Sequence, residues 1–262
     1  MDVLVDGHAH IYPFFKLQIA LEAIFNTLGD KYPTTPRIIC LAERHDCNIF
    51  DQLKKTHEFT SEGDYKVEDC SAYLRVLSRN SSSICYFLPG SQIVTAENIE
   101  ILALNSTAKF EDGLKAVDAV YGALDVGALP VVAWSPGKWF FQRRRVVEGL
   151  LEKFGPKEIA LGDTSLRPIG WSTPVLIREA INSRYKVLSG SDPLPLAGEE
   201  IQLGSYMTAI ENCKLDGAPD DTIGHFLLND NVMLRSVGSR GSLFDVGKRI
   251  SRNYLASRRV IS

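Results

Sequence analysis

Near its amino end the chain reads Val3-Leu4-Val5-Asp6-Gly7-His8-Ala9-His10, an apolar run closed by two histidines one residue apart, and no other stretch constrains the fold as much. Such a run predicts a buried strand, and because side chains alternate along a strand, His8 and His10 point the same way. At the carboxyl end of a barrel strand that direction is the mouth of the barrel, where two neutral imidazole nitrogens can hold a divalent metal. Asp6 falls on the same alternation, placed to accept the second ring proton of one histidine and fix its tautomer.

The rest of the chain alternates apolar runs with amphipathic stretches. Phe14 to Leu28 has helical spacing and stops at Gly29; Arg37 to Ala42 is a buried strand that leads into Glu43-Arg44-His45-Asp46 and a helix from Asn48 to Lys55. Tyr65 to Leu104 is richer in strands (Ala72 to Leu77, Ile84 to Leu88, Ile99 to Leu104), which predicts hairpins inserted in the series. Alternation then returns, with helices over Glu111–Val126, Gln142–Phe154 and Pro174–Ser183 and strands over Leu129–Trp134, Glu158–Leu161 and Lys186–Leu188. A helix over Glu199–Asn212 and a basic amphipathic helix near Leu243–Arg258 complete the reading. A βα series of this kind implies a parallel sheet with right-handed crossovers, a closed barrel first and a doubly wound sheet second.

Composition narrows the function. At 262 residues, 45% hydrophobic and 23% charged, the chain has the make-up of a globular protein with one barrel-sized core. A formal net charge of −3 predicts no nucleic-acid and no membrane partner. Five scattered cysteines without a CxxC pair, with neither a leader-like start nor a membrane-length apolar stretch, predict a cytoplasmic protein.

If the barrel holds, the polar residues that follow strands share one rim: His8, His10, Glu43, His45, Asp46, Gln92, the Trp134-Ser135-Pro136-Gly137 turn, Asp163 and Asp192. Their order resembles the PHP family, the polymerase and histidinol phosphatase class of metal-dependent phosphoesterases. Asp6-Gly7-His8-Ala9-His10 is similar to the family's opening HxH, and Glu43-Arg44-His45-Asp46 to its second motif. Leu88-Pro89-Gly90-Ser91-Gln92-Ile93 is similar to its Pro-Gly-x-Glu-Ile strand, and Gly190-Ser191-Asp192-Pro193-Leu194 to its Gly-Ser-Asp-x-His. The resemblance covers roughly residues 1–210. It implies a distorted seven-stranded βα barrel over 1–212, a TIM-like (β/α)7 fold, with residues 213–262 as a short helical extension packed on it.

Members of that family hold up to three metals, and here three ligand positions read Gln92, Trp134 or Ser135, and Leu194. An amide is a poor bridge, and neither an indole nor a leucine ligates. The expectation is one divalent ion (zinc, manganese or iron) on His8, His10 and Asp192, with Gln92 as a fourth ligand. His45, Asp46 and Asp163 are the candidates for proton transfer. Lys138, Arg167 and Trp134 are the candidates for binding a small anionic, phosphorylated substrate. The function expected is a metal-dependent phosphoesterase; the alternatives are an amidohydrolase-type C–N hydrolase and a PHP-like chain that has lost catalysis and binds a partner.

Overall fold

The computed structural model describes residues 2–55, 65–79, 83–211 and 232–259, together with 213, 219, 221 and 223. Among them the strands form two sheets. In the first, β1 (Val3–Ala9), β2 (Arg37–Leu41) and β5 (Ile84–Leu88) run parallel at the centre. The hairpin of β3 (Tyr65–Asp69) and β4 (Leu74–Ser78) extends it antiparallel beyond β5. On the other side β11 (Tyr206–Ile210) and β12 (Leu234–Gly238) extend it antiparallel beyond β1.

The second sheet runs in the order β10 (Val187–Gly190), β9 (Ala160–Thr164), β8 (Leu129–Ala133), β7 (Glu100–Leu104), β6 (Gly90–Val94). Its first three strands are parallel, and β7 is antiparallel to both neighbours. The two sheets share an apolar interior to which Val3, Val5, Ile38, Leu88, Leu102, Val131 and Leu188 contribute. Helices α1 (Leu17–Asn26) and α2 (Ile49–Lys55) cover the outside of the first sheet through Leu21, Ile24 and Phe50. Helices α3 (Ala116–Asp125), α4 (Gln142–Lys153) and α5 (Val175–Asn182) cover the second through Val120, Leu150 and Ile177. A last helix, α6 (Leu243–Arg259), lies largely exposed.

The closed (β/α)7 barrel is therefore corrected to a mixed α/β fold of two open sheets. Closure needs a continuous ladder, and two seams lack one. Between β5 and β6 the chain passes Pro89, which has no N–H to give, and a single bridge joins Glu43 to Ser91. Between β1 and β10 the strands touch without pairing: a Cβ on Gly190 would lie 2.4 Å from His8 Cβ, so only glycine allows the approach. The helix expected over Glu199–Asn212 is also corrected. A short 3-10 helix at Glu199–Gln202 ends at a turn where Gly204 takes φ 71°, and Tyr206–Ile210 becomes β11, whose backbone groups pair with β1 and β12. Tyr, Thr and Ile in that stretch suit a strand, and the pairing decides. No helix among the described residues is long and apolar enough to cross a membrane.

Candidate metal centre

Strand β1 carries the histidines, and a kink in it aims them. Its pairing with β2 shifts register between Asp6 and Ala9. Leu4 and Ala9, of opposite parity, consequently lie in the same cluster against α1, as a bulge requires. The shift separates Asp6 from the histidines. Its buried carboxylate accepts the Ser191 N–H at 2.9 Å, the Ser191 hydroxyl at 2.5 Å, the Gly204 N–H at 3.1 Å and the His8 N–H at 3.3 Å, and orients no imidazole. Burial outweighs these bonds and pushes the Asp6 carboxyl up to about 6.

His8, His10 and Asp192 are buried together, and their ligand atoms all lie within 4.8 Å of one another. The two Nε2 atoms are 3.0 Å apart, and each is 3.8 Å from Asp192 Oδ1. An ion with bonds of about 2.1 Å in tetrahedral array sets its ligand atoms about 3.4 Å apart, so two imidazoles and a carboxylate at these spacings fit one divalent ion. Burial, and then the neighbouring His8, push His10 down to about 3, which keeps its ring neutral as ligation requires. The His10 ring stacks on Tyr12 with centroids 5.6 Å apart.

Asp192 reaches the histidines because its backbone takes φ 46°, a left-handed conformation that Asp tolerates better than most residues. Three contacts hold it there: its N–H donates to His8 O at 2.8 Å, the Thr164 hydroxyl donates to its Oδ2 at 2.9 Å, and Arg249 of α6 reaches its carbonyl at 3.4 Å. Arg249 also forks onto Glu199 at 2.7–3.0 Å.

His10 and Asp192 of this triad line a cavity of about 420 Å³. From β6, Gln92 places Oε1 3.1 Å from His8 Nε2, and its amide nitrogen donates to Glu100 Oε1 at 3.5 Å. Lys138 pairs with the same Glu100, and Arg44, Tyr12 and Asp112 stand on the wall. Glu100 escaped the sequence reading, though the hairpin carried the signal: Val94 pairs with Glu100, which sets this carboxylate beside Gln92.

The remaining expected residues are spread more widely. His45 is half exposed at the edge, its Nδ1 3.1 Å from Asp112 Oδ2. Asp46 points to solvent beside Arg44. Glu43 is turned away, bonded by the Phe50 N–H at 2.7 Å and paired with Lys109. Asp163 and Arg167 form a buried pair closed by the Tyr206 hydroxyl, on the wall of a different cavity of about 400 Å³. Trp134 lines a third, aromatic cavity. The Cys47 thiol is pushed up to about 11, chiefly by burial.

No protein-family model and no curated protein sequence matches the chain. Among solved structures it is similar in fold to PsfC from Pseudomonas syringae PB-5123 (TM-score 0.56, 11% identity, covering 99% of each chain). It is also similar to the lesion-specific endonuclease PfuEndoQ from Pyrococcus furiosus (TM-score 0.57, 12% identity, 91% of this chain and 59% of that one). A third likeness is to Endonuclease Q in complex with a 27-mer duplex substrate with an abasic lesion at the active site (TM-score 0.54, 12% identity, 87% and 57%). The chain thus spans less than two thirds of the endonuclease chains.

These likenesses are of fold, and they support a PHP-like fold. They also correct the expectation that nucleic acid is excluded as a partner, since two of the neighbours are endonucleases and one holds a 27-mer duplex substrate. A net charge of −3 is a whole-chain sum; locally, Lys138 and Arg44 both line the cavity beside His10 and Asp192.

Proposed function

We propose that the chain is a metal-dependent hydrolase that cleaves phosphoester bonds, with nucleic acid as its substrate class. The observation that carries this reading is the convergence of His8, His10 and Asp192 on one point beside a cavity walled by Lys138 and Arg44. A divalent ion on these three residues, with the Gln92 amide oxygen as a further ligand, supplies a Lewis acid that polarises a phosphoryl oxygen and lowers the pKa of water. Lys138, held by Glu100, neutralises the charge of the substrate phosphate, and Arg44 adds a second cation across the cavity. His45, oriented by Asp112, carries protons between cavity and solvent. Asp163 and Arg167 belong to the frame in this reading, because each is already bonded to the other. The endonuclease neighbours support nucleic acid as the substrate class.

The test is metal analysis of tag-free protein purified without chelator, beside His10→Ala and Asp192→Asn, followed by assay on oligonucleotides and an aryl phosphodiester. Near-stoichiometric metal in the unmodified protein, lost in both variants, with metal-dependent cleavage, is the expected result. Failure to take up zinc or manganese on soaking, or activity confined to amides and cyclic ureides, would overturn the proposal.

A further inference from the structure

All three tryptophans of the chain, Trp134, Trp139 and Trp171, converge on one cavity of about 340 Å³ beside the metal pocket, together with Phe140, Phe141 and Arg144. Trp134 and Trp139 are buried and form its floor. The backbone N–H of Trp134 is bonded to Gly162 O at 3.0 Å, and the Trp139 indole donates to Ala133 O at 3.1 Å. The rim is open: Phe140 is 53% exposed, Trp171 46% and Phe141 91%. An exposed cluster of this size is unusual unless something covers it.

Phe141 stands at φ 53° and ψ −121°, directly before α4. A bulky aromatic residue rarely takes a left-handed backbone, and such conformations concentrate where a fold holds a side chain out for use. Cations stand at the edge of the cavity: Arg143 is fastened to Gly137 O at 2.8 Å, and Arg144, on the lining itself, is paired with Glu148 at 2.7 Å. The same loop serves the metal pocket, where it supplies Ser135, Pro136 and Lys138. Lys138 and Phe140 are two residues apart, within about 7 Å along the chain.

Aromatic faces with a cation among them, on the loop that also carries Lys138, have the chemistry that holds an unpaired nucleotide, with the ring on the aromatics and the phosphate on the cations. We propose that this cavity is a stacking site for a nucleobase of the strand whose phosphate lies at Lys138. The assignment rests on the phosphodiester reading above. It gives that reading a chemical preference, for a strand with accessible bases over a bare sugar–phosphate chain.

The experiment compares two single strands of equal length and equal phosphate count, one carrying bases and one fully abasic, both with cleavage-resistant phosphorothioate linkages. Affinity is read by anisotropy and by tryptophan emission on the metal-loaded protein. The strand with bases binds more tightly and quenches the emission. Phe141→Ala and Trp171→Ala weaken it roughly 5- to 100-fold, toward the affinity of the abasic strand. Both side chains are solvent-facing, so truncation leaves the core in place. Equal affinity of the unmodified protein for the two strands overturns the stacking site. So does a Phe141→Ala variant that turns a dimer into a monomer by light scattering while strand affinity is unchanged, which makes the cavity a contact between copies of the chain. Cleavage of ordinary phosphodiester strands is followed in parallel. Cleavage without base preference removes the stacking site and keeps the phosphodiester reading; base preference without cleavage in any metal does the reverse.

Discussion

Asp163 and Asp192 stand near the carboxyl ends of adjacent parallel strands, and the fold uses them in opposite ways. Asp163 is saturated: Arg167 donates to its two oxygens at 2.8 and 2.6 Å, and the Tyr206 hydroxyl adds a bond at 2.8 Å. Asp192 gives Oδ2 to Thr164, while its Oδ1 faces two imidazole nitrogens at 3.8 Å, too far for hydrogen bonds. A carboxylate past a strand end is thus poor evidence of a site. What marks a candidate metal site is an oxygen that accepts no hydrogen bond among the described residues and stands beside other atoms of ligand type.

The largest effect that tests this contrast is on stability. Arg167→Ala strands the buried Asp163 charge and is expected to cost about 3–5 kcal/mol in urea denaturation. Asp192→Asn, at a position where Asn also tolerates left-handed φ, is expected to change metal-free stability by less than about 1 kcal/mol. Comparable losses in both variants would erase the distinction.

Asp6 sharpens the contrast, since it takes four hydrogen bonds yet titrates at about 6, above the 3.8 of an ordinary aspartate. The folded chain therefore binds this proton more tightly than the unfolded chain. Its contribution to stability is complete below the unfolded value and lost as pH rises through the folded one, a change of about 3 kcal/mol at most. Urea midpoints from pH 4 to 7 are expected to show the advantage of the unmodified protein over Asp6→Asn shrinking with rising pH; an advantage that grows would reverse the assignment.

A smaller effect is expected at Thr164, whose hydroxyl fixes Asp192 Oδ2. Thr164→Val should weaken metal binding by about 10- to 100-fold, read by competition with a chelating dye. Smallest is Lys109→Met, which removes one of two partners of the buried Glu43; about 1 kcal/mol of stability should be lost, with metal content unchanged.

The sequence shows which residues form the candidate metal group and less of how the sheets close. His8, His10 and Asp192 stand out because residues with ligand chemistry follow short apolar runs, and the strands that carry them lie where those runs are. The misplacement of Asp6 follows from the register shift in β1, which depends on pairing with β2 and leaves no trace in alternation. Leu203, Met207 and Ile210 suit a helix face as well as a strand, and β11 exists because β1 and β12 offer it partners. Whether the sheets close is decided by hydrogen bonds between strands far apart in the chain. Pro89 and Gly190, which stand at the two seams, look like ordinary turn residues when read alone.

The fork from Arg249 to Glu199, with its reach to the Asp192 carbonyl, bears on synthesis in the cell. A chain made from its amino end presents His8 and His10 first, Asp192 much later, and the arginine that steadies the Asp192 loop later still. The complete donor set is set in place only after Arg249 has been made. Until then the two early histidines lack the carboxylate that stands beside them in the folded chain.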